Sequence, residues 1–152
     1  MATLRERIDA ELKEAMRSKD ETSTSTLRML KSAIRYKEVE PGATGPLDDS
    51  AIVQVIGTLI KQRRDSVEQY QAAGRAELAE KELREIAVLQ RYLPAQLSPD
   101  ELRAEVQKAI AESGAKGPKD MGAVMKILMP RVQGKAEGKA VSEEVKAQLS
   151  RL

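Results

Sequence analysis

The sequence predicts an all-α protein in two parts. A four-helix N-terminal bundle is expected over residues 1–93 and a small three-helix C-terminal domain over 98–152, with a linker at about 94–97. Three observations carry this expectation. Apolar residues recur every three or four positions through most of the chain, which lines one face of a helix, and no run alternates as a strand would. The composition is rich in Ala, Leu, Glu, Lys and Arg, with 41% apolar and 33% charged residues, and it leans towards helix. The prolines are few and fall at positions 41, 46, 94, 99, 118 and 130, where they punctuate the periodic segments.

The first helix is expected from about 4 to 18. Thr3 and Glu6 stand three apart, the spacing of a capping box, and Leu4, Ile8, Leu12, Ala15 and Met16 form its apolar face. The run "ETSTST" that follows is read as a helix start, since Ser and Thr side chains cap free N–H groups. Leu27, Leu30 and Ile34 continue that helix as a stripe, and Pro41 and Gly42 end it in the loop "EPGATGPLDD".

A third helix begins at Asp49 or Ser50 and places Ile52, Ile56, Leu59, Ile60, Val67 and Tyr70 on one face. Arg63 falls inside that stripe. It reads either as a partly buried Arg paired with a carboxylate or as a ligand contact, because a buried charge needs a partner. Gly74 closes this helix. The fourth, "RAELAEKELREIAVLQRYLP", turns Leu78, Leu83, Ile86, Leu89 and Leu93 inward and stops at Pro94.

The second part restarts at Ser98. That residue caps the fifth helix, Pro99 takes its first position and Glu101 completes a capping box. Leu102, Val106, Ala109 and Ile110 face inward, and Gly114 marks the end. A sixth helix starts near Asp120 with Met121, Val124, Met125, Leu128 and Met129, and Pro130 is expected to end or kink it. A last short helix carries Val141, Val145, Leu149 and Leu152. Three helices in so few residues make this part marginal for independent stability.

The chain holds no Cys and no His. It therefore offers no disulfide, no thiol nucleophile, no thiolate or imidazole metal site and no His-based triad. No tight carboxylate cluster and no Gly/Ser-rich amidase stretch stands in their place. No catalytic residue, metal or cofactor is expected, and stand-alone catalysis is disfavoured. No apolar run approaches the ~18 residues that span a bilayer, and the N-terminus lacks a signal-peptide core, so a cytoplasmic protein without a membrane partner is expected.

The candidate site is the loop "GKAEGKAV" at 134–141. It is not a nucleotide-binding P-loop: three residues separate Gly134 from Gly138, Ala140 stands where a hydroxyl is needed, and a helix precedes it. Two readings remain. The glycines form an elbow between two helices, or Lys135, Lys139 and the start of the last helix bind an anion. Residues 1–93 hold 16 basic and 16 acidic residues, whereas 94–152 hold 10 and 8. Within 116–139 six cations, Lys116, Lys119, Lys126, Arg131, Lys135 and Lys139, face only Asp120 and Glu137. The aromatics are Tyr36, Tyr70 and Tyr92 alone, too few to stack splayed bases. That argues against a single-strand binder and leaves open a folded RNA read by shape and phosphate.

The segments "STLRMLKSAI", "RRDSVEQYQAAGR", "LQRYLPAQLS" and "KDMGAVMKILMPRVQGKAEGKAV" resemble the YqeY family over nearly the whole chain. The last also resembles the C-terminal tail of the B subunit of glutamine-dependent aspartyl/glutamyl-tRNA amidotransferase. The resemblance implies four helices followed by a three-helix tail that helps hold tRNA, and a family label of carbon–nitrogen ligase with glutamine as amido donor. It implies a tRNA-binding accessory module; a helical scaffold acting with an amidotransferase, another enzyme or the translation machinery is the alternative. The matching positions are Lys119, Asp120, Met121, Gly122, Met125, Pro130, Gly134, Lys135, Ala136, Gly138 and Lys139. Glu137 replaces the Asp usual in the family loop, and Glu caps a helix less well. The B subunit's kinase-like portion and the amidase subunit have no counterpart among these 152 residues. The residues expected to meet nucleic acid are Lys119, Lys126, Arg131, Gly134, Lys135, Gly138 and Lys139.

Overall fold

The computed structural model describes residues 3–152; Met1 and Ala2, the start of the expected first part, lie outside them. Among the described residues there are seven α-helices, one short 3-10 turn and no strand. Contacts divide the chain into two compact units that meet in sequence between Leu93 and Pro94.

The first unit contains α1 (Leu4–Arg17), α2 (Glu21–Val39), α3 (Asp49–Ala72) and α4 (Ala76–Gln90). Only half of the expected capping box starts α1: the Thr3 hydroxyl oxygen accepts from the Glu6 N–H at 3.1 Å, without the return bond from the Glu6 side chain. The start of α2 differs from expectation. Its cap is Asp20, whose carboxylate accepts from the Ser23 N–H at 3.0 Å and the Ser23 hydroxyl at 2.7 Å. These two bonds, the backbone one foremost, hold the Asp20 carboxyl below its ordinary range. The Ser/Thr run thus lies inside the helix, with Ser23 and Thr26 buried. Asp precedes the run and satisfies the free N–H groups first. Lys19, in the α1–α2 turn, takes a left-handed conformation at φ 60°.

One core joins the four helices. Ile8 of α1, Leu27 and Leu30 of α2, Ile52 and Ile56 of α3 and Ile86 and Leu89 of α4 are buried almost completely. Burying each such side chain contributes roughly 1.5–3 kcal/mol. Three expected core residues are outside it, and one of them, Leu78, is half-buried without packing against it. Met16 is 43% exposed and Leu83 38%. The Leu83 result has a visible cause in Glu85, which is buried. Residues two apart on a helix point about 160° away from each other. Glu85 turns inward to Arg63, so Leu83 is carried to the rim while Val88 and Leu89 enter the core.

Arg63 sits in the α3 stripe at 6% exposure. Its Nε donates to Glu85 Oε1 at 3.0 Å, Nη1 to the Leu59 carbonyl at 3.2 Å and Nη2 to Met29 Sδ at 3.1 Å. Of the two readings the sequence left open, the structure contains the carboxylate pair.

The end of α4 also differs. The helix stops at Gln90, well before Pro94, and tighter bonds from the N–H groups of Arg91, Tyr92 and Leu93 close it. This last turn brings Tyr92 into the core. Its hydroxyl donates to Glu11 Oε1 at 2.7 Å, and the Arg7 guanidinium lies 5.1 Å from its ring centre. Burial and the Glu11 carboxylate push the Tyr92 phenol well above its usual pKa.

The second unit contains α5 (Pro99–Ser113), a 3-10 turn (Pro118–Asp120), α6 (Met121–Val132) and α7 (Gly138–Leu149). The expected capping box is complete: Ser98 Oγ accepts from the Glu101 N–H at 3.1 Å, and Glu101 accepts from the Ser98 N–H at 3.0 Å. The Ser98 N–H foremost, and then the Ser98 hydroxyl, hold the Glu101 carboxyl below its ordinary range. Val106, Ala109, Val124, Leu128, Val132, Val141, Val145 and Leu149 form the core. The methionines at 121, 125 and 129 only flank it. Pro130 lies in the last turn of α6, which ends two residues later. Leu152, expected in the last helix, lies beyond α7 and is 63% exposed.

Candidate nucleic-acid interface

The loop between α6 and α7 is built from one conformational requirement and two clamps. At Gly134 the chain has φ 77°, the left-handed region in which a Cβ is costly. The N–H of Lys135 then donates to the Val132 carbonyl at 2.8 Å, and that of Ala136 to the same oxygen at 3.2 Å. These bonds use a carbonyl that the helix end would otherwise leave without a partner.

The clamps come from residues 94–97, the stretch expected as a linker. The Leu97 N–H donates to the Lys135 carbonyl at 2.8 Å. Gln96 Nε2 donates to the Gly134 carbonyl at 2.8 Å and to the Pro94 carbonyl at 2.8 Å. The segment therefore holds the loop from a point 38 residues away in sequence. No local pattern at "PAQLS" signals this, because both partners are backbone carbonyls.

Gly138 plays a different part from the expected one. It is the first residue of α7, and its φ is not in the left-handed region. A Cβ placed there would meet nothing within 4 Å. The turn does not require glycine at this position. The side chain of the N-cap residue Glu137 makes no cap hydrogen bond at the start of α7. The first N–H groups of a helix attract anions through their unpaired hydrogens and the helix dipole.

The expected cations divide into groups. Lys135 and Lys139 are exposed on the loop and the first turn of α7. Lys119 lies in the 3-10 turn, an element that packs against both α6 and α7. Lys119, Lys126 and Lys135 make no ion pair among the described residues. Lys126 stands two residues before buried Leu128, so it points about 160° away from the α6 core contact. Arg131 is engaged: its Nη2 lies 2.7 Å from Glu112 Oε2 of α5, with the two side chains 41% and 49% exposed. The arrangement is a basic loop with an outlying lysine, and Arg131 faces α5.

Among the described residues no group of carboxylates is placed to hold a metal ion. No helix among them is long and apolar enough to cross a membrane.

The helices and the two cores define a class: an all-helical protein. The chain belongs to the family described as Yqey-like protein, whose family model matches residues 5–149. It is similar to proteins named "Altered inheritance of mitochondria protein 41, mitochondrial" from several fungi. The one from Eremothecium gossypii is 35% identical over 107 residues, covering 69% of this chain and 58% of the relative. The one from Vanderwaltozyma polyspora is 34% identical over 103 residues, covering 66% and 55%. The one from Kluyveromyces lactis is 32% identical over 143 residues, covering 92% and 72%. Against the first two, this chain spans little more than half of the relative's length.

Proposed function

We propose that this protein is an accessory module that binds a folded RNA, tRNA in particular, through the loop of its second unit, and performs no amide transfer by itself. The observation that carries this reading is the clamped loop. Gln96 and Leu97 fix its backbone, the Glu137 side chain makes no cap hydrogen bond at the start of α7, and Lys135 and Lys139 flank that start with Lys119 nearby in the fold. A rigid loop of this kind loses little freedom on binding phosphate. With so few aromatics, contact to phosphate and sugar dominates over base stacking. The partner is then read by shape more than by sequence.

The module acts alongside another protein, an amidotransferase or a component of translation, that supplies the chemistry. The lack of His and Cys supports this division of labour. A cytoplasmic setting is part of the proposal; the mitochondrial designation carried by the fungal relatives belongs to those proteins.

The alternative is a helical scaffold for proteins. One observation favours it: Met16, Met29, Val39 and Leu83 of the first unit are exposed apolar residues. Affinity capture with the full chain, followed by RNA sequencing and mass spectrometry of the eluate, decides between them. The proposal predicts tRNA enriched over total RNA and released by salt. Recovery of proteins with no RNA enrichment would replace it with the scaffold reading.

A further inference from the structure

Two methionine sulfurs of the first unit accept hydrogen bonds from arginine. Met16 Sδ accepts from Arg28 Nη2 at 3.2 Å, and Met29 Sδ accepts from Arg63 Nη2 at 3.1 Å. Both methionine side chains are exposed. The two arginines differ. Arg28 is exposed, so water can serve its donors. Arg63 is buried, so its donors depend on the protein.

The groups that meet the Arg63 guanidinium are the Glu85 carboxylate at Nε, the Leu59 carbonyl at Nη1 and Met29 Sδ at Nη2. The first two are oxygen acceptors, whereas a thioether sulfur is a weak one. The buried cation is therefore least well satisfied at Nη2, on the side held by an exposed residue.

A sulfoxide in place of that thioether changes the balance. Its oxygen is a strong acceptor, and hydrogen bonds from a charged donor are the stronger kind. Hydrogen peroxide makes the change. A sulfur lone pair attacks one peroxide oxygen, the S–O bond forms and the O–O bond breaks. The departing hydroxide takes the proton of the transferred oxygen and leaves as water. Sulfur gives up two electrons and the peroxide gains them. One lone pair of Met29 Sδ faces Nη2, so the other is left for the oxidant. The flexible methionine side chain can then swing the new oxygen round to Nη2. We propose that Met29 is a peroxide-modification site, that buried Arg63 holds its sulfoxide oxygen, and that oxidation there tightens the first unit.

The test treats the full chain with hydrogen peroxide and maps the product by peptide mass spectrometry. Met29 is expected to be converted along with Met16 and ahead of the half-buried Met121, Met125 and Met129, since susceptibility follows exposure. A sulfoxide at those three positions would set a polar oxygen against the second core. The effect of Met29 is therefore read in a variant carrying Met16→Leu, Met121→Leu, Met125→Leu and Met129→Leu, swaps that nearly conserve volume. Its only methionines are Met1 and Met29. Oxidation is expected to raise its melting temperature by about 4 °C, the shift that one added hydrogen bond gives a domain of this size. Adding Arg63→Leu with Glu85→Leu should turn the rise into a fall, because the sulfoxide then meets apolar side chains. If that variant fails to fold, the Arg63 guanidinium N–H signals in NMR decide, with exchange into water expected to slow about tenfold on oxidation. A melting temperature that stays level or drops when Met29 is oxidised would overturn the proposal. So would an equal rise without Arg63, unaltered Arg63 signals, or a Met29 left intact while the second unit's methionines react.

Discussion

Replacing Glu85 by Ala tests the one buried ion pair that shapes the first unit. The perturbation removes the carboxylate 3.0 Å from Arg63 Nε, where the side chains are 7% and 11% exposed. Arg63 keeps only the Leu59 carbonyl at 3.2 Å and the weakly accepting Met29 sulfur at 3.1 Å. A guanidinium buried with so little compensation costs about 3–5 kcal/mol. That is a large part of the roughly 5–15 kcal/mol by which a domain of this kind is stable. The cost comes from the stranded charge more than from the lost attraction. The double variant Arg63→Met, Glu85→Leu should therefore recover most of it and fall within about 1 kcal/mol of the wild type. Urea denaturation of the four proteins of this cycle measures both quantities, with the slope checked for constancy. A Glu85→Ala loss below about 1 kcal/mol, the range of exposed pairs, would refute the burial argument. So would a double variant as unstable as the single one.

Lys19→Gly should stabilise the chain by roughly 0.5–1 kcal/mol, because Lys19 sits at φ 60° where an L side chain is strained; a lower melting temperature would contradict this. The carboxyls of Asp20, Glu38 and Glu101 are lowered in the folded state. Their stabilisation is then complete above the ordinary values of 3.8 for Asp and 4.5 for Glu, and it is lost as pH falls through those values towards the folded ones. Melting temperatures are expected to drop on acidification in that window, and Glu101→Gln should soften the drop. Residues 1–93 should melt cooperatively alone, and a 94–152 fragment should be more stable than 98–152 by about 1–2 kcal/mol for the hydrogen bonds of Gln96 and Leu97; equal melts of the two shorter fragments would show the clamps to be idle.

The local signals in the sequence were strong and the long-range ones weak. Ser98, Pro99 and Glu101 announce the start of α5 because capping chemistry is confined to three or four adjacent residues. The stripes in α3 and α5 are visible because one helix face needs no knowledge of its neighbour. The rotation of α4 was not visible, since it depends on Glu85 finding Arg63 22 positions earlier. The Ser/Thr run looked like a cap because Asp20 competes for the same N–H groups and only geometry shows which is used. At the candidate loop, the glycine at 134 and the lysines could be read directly. The Gln96 and Leu97 clamps and the capture of Arg131 by Glu112 could not, because nothing in those residue types specifies a partner.

The central claim is that the loop at 134–139 meets phosphate, and tRNA affinity across a salt series tests it most directly. Contacts from Lys119, Lys126, Lys135 and Lys139 give a log–log slope of about −3 to −4. Lys135→Ala with Lys139→Ala should flatten that slope by roughly 1–2 and leave the melt unchanged, whereas Arg131→Ala should leave the slope as it is. A double variant that binds with the wild-type slope, or a wild type that does not bind even at low salt, would contradict the account and reduce the loop to a turn between two helices.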